Sequence, residues 1–411
     1  MINYIITATL LLSILTGTSF AQITGSKAIT FKKEAFDQSL TAGMAPNVMG
    51  YQYVLIKGGQ VVTEKAGGKG QTSADGNVSM TINTPTNIGS LAKFLSGTVL
   101  LNMTEKPTDY APDEGKTLSQ RLDRRIADFF PNVWKTKMRP GIEKITFRQL
   151  LQHRTGFADA KPGNRTVLGF LHDADGFSLP QYDKREYNNI NFALVGYMIS
   201  LYEHEGRTDG INKDLSVKKL NEADSDKLAR DGLGNWMHTA MKTRIWEKMN
   251  PKILPNCDAT NTIKNTAAYG YNSKADPAKG FITSMIVNQG HCGGHGGHYV
   301  SARDFANYVA HFEATDLVVT KQARDLMGTE GMASNDRLVW TVATKDVWIN
   351  TNFKMPNVFW SNGITGGYRS VLIRLPQDYY VVLFTNSPEM NVTQLYNAGV
   401  AAFKAGMQHN F

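Results

Sequence analysis

Ser90 and Lys93 stand three positions apart in "TNIGSLAKFLSG" (85–96), at the front of an apolar run of Leu91, Phe94, Leu95, Val99, Leu100 and Leu101. On a helix, positions i and i+3 share a face, about 5–6 Å apart at Cβ. A hydroxyl is a poor nucleophile at neutral pH and needs a base to take its proton. An amine one turn away reaches that oxygen. Burial in an apolar site lowers a lysine pKa, so the neutral, proton-accepting form becomes accessible. A first-turn position also offers the unpaired N–H groups of a helix start, which favour negative charge. The pair has the parts needed for acyl transfer.

Spacing alone does not decide the matter. A second Ser-x-x-Lys, Ser216–Lys219 in "SVKK", lies in a charged stretch and reads as solvated surface. Ser90 differs because it opens an apolar helix behind Asn87-Ile88-Gly89, and because partners follow it. Tyr187 and Asn189 in "EYNNINFALVGYMI" form the only Tyr-x-Asn triplet of the chain, on a loop entering a helix. A phenol near a cation ionises more readily and can relay a proton. An amide two residues on can hold a substrate carbonyl and the lysine side chain. Standing by itself, the triplet would be a capping Asn beside a packed Tyr.

These side chains need elements to position them. "YVLIKGGQVVTEKAGG" (53–68) alternates apolar residues around Gly58-Gly59, a hairpin signature. Between about 110 and 250 the pattern is helical and loop-rich, with "ITFRQLLQHRTGF" (145–157), "NNINFALVGYMISLYEHEG" (188–206) and "LGNWMHTAMKTRIWEKMN" (233–250). The charged, apolar-poor stretch 206–232 reads as a surface insertion. "RSVLIRLPQDYYVVLFTN" (369–386) is two apolar strands joined by a Pro-Gln-Asp turn, and an amphipathic helix closes the chain near 391–407. Strands at both ends with helices between them predict an α+β fold. An antiparallel sheet built from the N- and C-terminal segments, flanked by helices, receives a mostly helical inserted domain. The expected division is 22–105 with 285–411 for the sheet-containing domain, and 106–284 for the helical domain carrying 206–232.

The chain has 411 residues, 42% of them hydrophobic, enough for a large core in about two domains. Residues 1–21 carry no charged side chain, hold an apolar run and end on Ser19 and Ala21 before Gln22, which reads as a secretory signal peptide. The run is short of the ~20 residues a membrane span needs, and no later segment reaches that length. Secretion or a periplasmic place is therefore expected, without stable membrane insertion after the segment is removed. The net charge of +8 is scattered, with no nucleic-acid module, and supports at most mild attraction to anionic envelope surfaces. Cys257 and Cys292 are the two cysteines; export permits their pairing, and the sequence leaves it open. "GHCGGHGGH" (290–298) places His291, Cys292, His295 and His298 together. No flanking scaffold has structural-zinc spacing, so neither a metal nor another cofactor is expected.

Taken in order, these stretches resemble the serine β-lactamase-related superfamily, which includes class C β-lactamases, D-Ala-D-Ala peptidases, D-amino-acid peptidases and related esterases. Its members carry Ser-x-x-Lys, then Tyr-x-Asn, then Lys- or His-Thr-Gly on a late strand. "NIGSLAKFLSG" resembles the nucleophile segment, "ITFRQLLQHRTGF" a Leu-Leu-x-His-x-Ser-Gly-Leu loop, and "YNNINFALVGYMI" the Tyr-x-Asn helix entry. "GGHYVSARDFANYVAHF" resembles a Gly-Gly-x-x-Ser-x-x-Asp helix, and "NGITGGYRSVLIRLPQDYYVVLFTNS" the late hairpin. The resemblance spans roughly 40–405, with 206–232 outside it, and implies a β-lactamase/transpeptidase-like fold.

The resemblance implies that Ser90 is the nucleophile of an acyl-enzyme and that Lys93 and Tyr187 share the acid and base work. Asn189, Thr365, Gly366 and Gly367 would bind substrate. The N–H groups of Ser90 and Gly367 would form the oxyanion hole. His153 and Gly156 would shape a loop rather than react, and the Gly-rich 290–298 stretch would be a turn. One position breaks the pattern. In "GITGG" Ile364 replaces the Lys or His that helps hold a substrate carboxylate, and the turn after Gly367 is short. Arg369 is the nearest candidate for that charge. The expected function is a secreted serine hydrolase acting on a small-molecule or peptide ester or amide. Alternatives are β-lactamase or D-Ala-D-Ala carboxypeptidase activity, or a non-catalytic penicillin-binding-like protein. The oligomeric state is open.

Overall fold

The computed structural model describes residues 29–409, apart from 107–114, 159–166, 174, 204–206, 276–278, 283–292, 330–336, 341, 345–346, 351–352 and 356–357. The segment 1–21, together with His291 and Cys292, lies outside the described residues. At the centre is an antiparallel sheet of six strands, β1 (Gly50–Lys57), β2 (Gln60–Gly68), β3 (Val342–Thr344), β4 (Val358–Thr365), β5 (Tyr368–Leu375) and β6 (Tyr379–Thr385). Their spatial order is β2-β1-β6-β5-β4-β3, so the N-terminal hairpin joins the C-terminal strands through the β1–β6 pair. This is the α+β architecture expected from the strand-rich ends.

Strands β5 and β6 are buried on both faces, which is why they read as continuous apolar runs rather than alternating ones. The pleat sends Val371, Ile373, Val381 and Leu383 to one side. There they pack with helices α1 (Lys33–Met44) and α7 (Val392–Gly406) through Phe36, Leu40, Leu395 and Phe403. Leu372, Val382 and Phe384 point the other way, into the larger core shared with α2 (Ala92–Glu105) and α6 (Ala302–Ala314). Strand β3 pairs only with Val358–Trp360 of β4. Among the described residues, the second half of β4 has no further strand beside it.

Helix α2 is largely apolar, has no solvated face, and is buried from Ala92 to Thr104, as such a helix must be. Its polar residues are bonded individually. Thr98 Oγ1 meets Tyr308 OH at 2.6 Å, Ser96 Oγ donates to Gly294 O at 2.6 Å, and Asn102 Nδ2 donates to Leu317 O and Val318 O. Helix α3 (Asn189–Glu203), equally apolar, packs against it, and the core of the helical region grows outward from that contact.

The charged stretch 206–232 is helical and partly buried. Its described part forms helix α4 (Arg207–Lys218) and the first half of α5 (Glu222–Arg244), and α5 runs straight through residue 232. Val217 and Leu220 are exposed, as on a surface segment, but Ser225, Asp226 and Ala229 are buried. Asp226 accepts from Trp134 Nε1 at 2.9 Å and from Arg230 Nε at 2.7 Å. Charges that satisfy each other inside a helix look, in one dimension, like a solvated face.

The Phe94 ring contacts Phe305, Tyr308, Phe312 and Trp340 at centroid distances of 5.1–6.4 Å, tying α2 to α6 above the sheet. Phe94→Ala is expected to cost about 3–5 kcal/mol in urea unfolding, the usual range for emptying such a site. A loss below about 1 kcal/mol would mean that α2 is not held by this cluster.

Candidate active site

A short helical turn, Gly89–Leu91, carries Ser90 into α2. Three ties hold it. Ile88 N–H donates to His298 O at 3.1 Å, Asn87 Oδ1 accepts from Gly89 N–H at 2.9 Å, and Ser370 Oγ on β5 donates to Ile88 O at 2.7 Å. Gly89 has φ of +51°, and a Cβ there would stand 2.8 Å from Ile364 N. On the facing strand a Cβ at Gly363 would overlap the Ile88 carbonyl oxygen. The Ser90 turn and β4 therefore meet backbone to backbone, with no room for a side chain between them.

Lys93, 4% exposed, places Nζ 2.9 Å from Ser90 Oγ, 2.8 Å from Asn189 Oδ1 and 3.1 Å from His295 O. Burial lowers its pKa to about 7. As a neutral amine it keeps two N–H groups and one lone pair. The two oxygens of Asn189 and His295 take the N–H groups, which leaves the lone pair for Ser90. Tyr187 OH donates to Ser90 Oγ at 2.8 Å, and its ring centroid lies 5.0 Å from Lys93 Nζ. Ser90, Lys93, Tyr187 and Asn189, from two distant parts of the chain, thus form one hydrogen-bonded cluster.

The expectation that a nearby cation would help the phenol ionise is corrected here. Burial outweighs the Ser90 hydrogen bond and the Arg185 charge, and raises the Tyr187 pKa above its ordinary value. The two groups are pushed apart by the same desolvation: the amine becomes neutral more easily and the phenol keeps its proton more firmly.

Thr365, Gly366 and Gly367 lie at the tip of the β4–β5 hairpin, where Thr365 pairs with Tyr368 across a two-residue turn. The Gly367 backbone packs on Tyr271, and the Phe281 ring packs on Gly366. Tyr271 is itself anchored. Its OH donates to Asp75 Oδ2 at 2.9 Å and accepts from Thr72 N–H at 2.7 Å, while its N–H donates to Asn386 O at 2.9 Å. Ile364 is 52% exposed and pairs across the hairpin with Arg369. Arg369 spends Nη1 on Gly366 O and Tyr368 O, at 2.6 and 2.7 Å, so it braces the turn from which a cation is missing.

Several contributors were not legible as site residues. The His295 carbonyl is one, and the only hint was the glycine pattern around it. Burial lowers the imidazoles of His295 and His298 to about 3, leaving both neutral. No group of three or more metal-ligating side chains occurs among the described residues. Cys257 is disulfide-bonded. His153 packs its ring 4.7 Å from that of Tyr187, and Gly156, with φ of +83°, lies on the same loop. No helix among the described residues is long and apolar enough to cross a membrane.

The family matching this sequence is described as Beta-lactamase, over residues 36–208. No curated protein matches the chain in sequence. Among solved structures, the octameric penicillin-binding protein homologue from Pyrococcus abyssi is similar at 18% identity and TM-score 0.60, covering 90% of this chain and 77% of that one. The class C beta lactamase from Rhodobacter sphaeroides is similar at 16% identity and TM-score 0.60, over 90% and 98% of the two chains. The D-amino acid amidase from Ochrobactrum anthropi SV3 is similar at 16% identity and TM-score 0.59, again over 90% and 98%. At these identities the likeness is one of fold.

A buried amine with a pKa of about 7 changes charge near neutrality, where an ordinary lysine stays charged until about pH 10.4. Heteronuclear NMR of a chain with labelled lysines is expected to show one side-chain titration near pH 7, absent in Lys93→Arg. A Lys93 signal that titrates only above pH 9 would contradict the burial argument.

Proposed function

We propose that this chain, which resembles the serine β-lactamase-related enzymes and holds Lys93 Nζ and Tyr187 OH both against Ser90 Oγ, is a serine hydrolase cleaving an ester or amide through a Ser90 acyl-enzyme. The observation that carries the reading is the amine held at 2.9 Å from Ser90 Oγ with its pKa lowered to about 7. The neutral Lys93 amine takes the Ser90 proton as Oγ bonds to the substrate carbonyl carbon. Negative charge then develops on the carbonyl oxygen, and the N–H groups of Ser90 and Gly367 are the donors assigned to it. When the tetrahedral species collapses, the Tyr187 phenol gives its proton to the leaving oxygen or nitrogen and recovers one from the Lys93 ammonium. Water enters by the reverse sequence, releasing the acid and restoring Ser90. Asn189 orients Lys93 and the substrate carbonyl, and Thr365 and Gly366 line the acyl side.

Ile364 narrows the substrate. A half-exposed aliphatic side chain stands where the resembled pattern carries a cation, and Arg369 is engaged with backbone carbonyls. This favours uncharged esters and amides over β-lactams or peptides ending in a free carboxylate. The apolar segment 1–21 supports export to the periplasm or the medium.

A fluorophosphonate probe is expected to label the wild-type chain, with labelling lost in Ser90→Ala. A folded wild type inert to every serine-directed probe would favour a non-catalytic binder instead. Ile364→Lys is expected to raise kcat/KM on carboxylate-bearing substrates roughly tenfold, the weight of one charge-assisted hydrogen bond. Unchanged kinetics on those substrates would refute the specificity assigned to that position.

A further inference from the structure

His153 is buried, sits outside the proton-transfer cluster, and takes a left-handed backbone conformation with φ of +57°. Non-glycine residues adopt that conformation uncommonly, with His and Asn enriched among those that do. What the conformation achieves is visible in the bonds. Glu186 N–H, just before Tyr187, donates to His153 O at 2.8 Å. Asn188 N–H, just after Tyr187, donates to His153 Nδ1 at 3.3 Å. One residue therefore grips the chain on both sides of the phenol-bearing position.

The ring completes the arrangement. Its plane tilts 34° against the Tyr187 ring at a centroid distance of 4.7 Å, and the Phe192 ring lies 5.0 Å away. Asn191 Oδ1 accepts from Thr155 Oγ1 at 2.6 Å, which turns the Asn191 amide nitrogen toward His153 Nδ1, 3.1 Å away. Nδ1 thus faces two donors and must carry a lone pair. Burial and the positive charges of Lys93 and Arg185 hold the imidazole pKa well below its ordinary value, so the ring is neutral and that lone pair persists.

We propose that His153 positions Tyr187: its carbonyl and Nδ1 clamp the flanking peptides, and its ring supports the phenol so that the hydroxyl rests on Ser90 Oγ. His153 touches no reacting atom and acts through Tyr187. The Thr155–Asn191 pair fixes the ring in turn. The inference rests on the serine hydrolase reading and adds a residue to it. Displacing a reacting group by about 1 Å can cost on the order of 100-fold in rate, while substrate binding elsewhere in the cleft is left alone.

The test compares the full-length wild type with His153→Ala and His153→Asn, using fluorophosphonate labelling of Ser90 and steady-state kinetics on a p-nitrophenyl ester. Asn tolerates positive φ and can return an acceptor near the Nδ1 position, though not the ring. His153→Ala is expected to lower kcat and the labelling rate about 10- to 100-fold with KM within about twofold, and His153→Asn to recover about tenfold of that loss. Wild-type kcat in a folded His153→Ala, or a loss confined to KM, would overturn the proposal while leaving the hydrolase reading intact. An unlabelled wild type would overturn both. If His153→Ala does not fold, Asn191→Ala leaves the imidazole in place and removes one of its two donors. A severalfold loss of kcat at unchanged KM supports the proposal there, and wild-type kcat overturns it.

Discussion

The candidate site is built around one buried amine. Lys93 lies at 4% exposure between the sheet and the helical region, and two carbonyl oxygens and one hydroxyl are its hydrogen-bond partners. Desolvating an ammonium is costly, and at this site the cost appears as a pKa lowered to about 7. Three parts of the fold bury the amine. Helix α2 is buried on all sides, α3 closes one flank, and the Gly-rich segment ending at His298 closes another with its backbone.

The same burial acts in opposite directions on the two groups that touch Ser90. It disfavours the ammonium and the phenolate alike, so the lysine leans toward base and the tyrosine toward acid. Two titratable groups pushed apart by one environment is a recurring way to separate acid and base duties at neutral pH. No dedicated counter-charge is needed. The arrangement requires only that both groups share one poorly solvated pocket, with a hydroxyl between them.

Precision comes from backbone rather than from side chains. The turn before Ser90 and strand β4 approach so closely that Gly89 and Gly363 admit no Cβ, and Ser370 pins the junction from β5. The hairpin tip is braced from outside by Tyr271, which Asp75, Thr72 and Asn386 hold in turn. Arg369 closes the tip from within the hairpin, and Ile364 beside it is half-exposed.

What the sequence by itself determined was local. Ser90 and Lys93 share a helix face because their spacing follows the helical period, and the runs at 53–68 and 369–386 pair as hairpins because their turns demand it. The order of motifs also brought Tyr187 and Asn189 to the same cluster as Ser90. Tertiary structure alone decided the rest. The direction of the Tyr187 shift, the His295 carbonyl on Lys93 and the clamp of His153 around Tyr187 depend on which distant segments exclude water from a given atom. The partial burial within the charged stretch 206–232 has the same origin: Asp226 is paired and buried through Trp134, 92 positions away. Periodicity records which face a residue takes, but solvation is set by whatever the folded chain packs against that face.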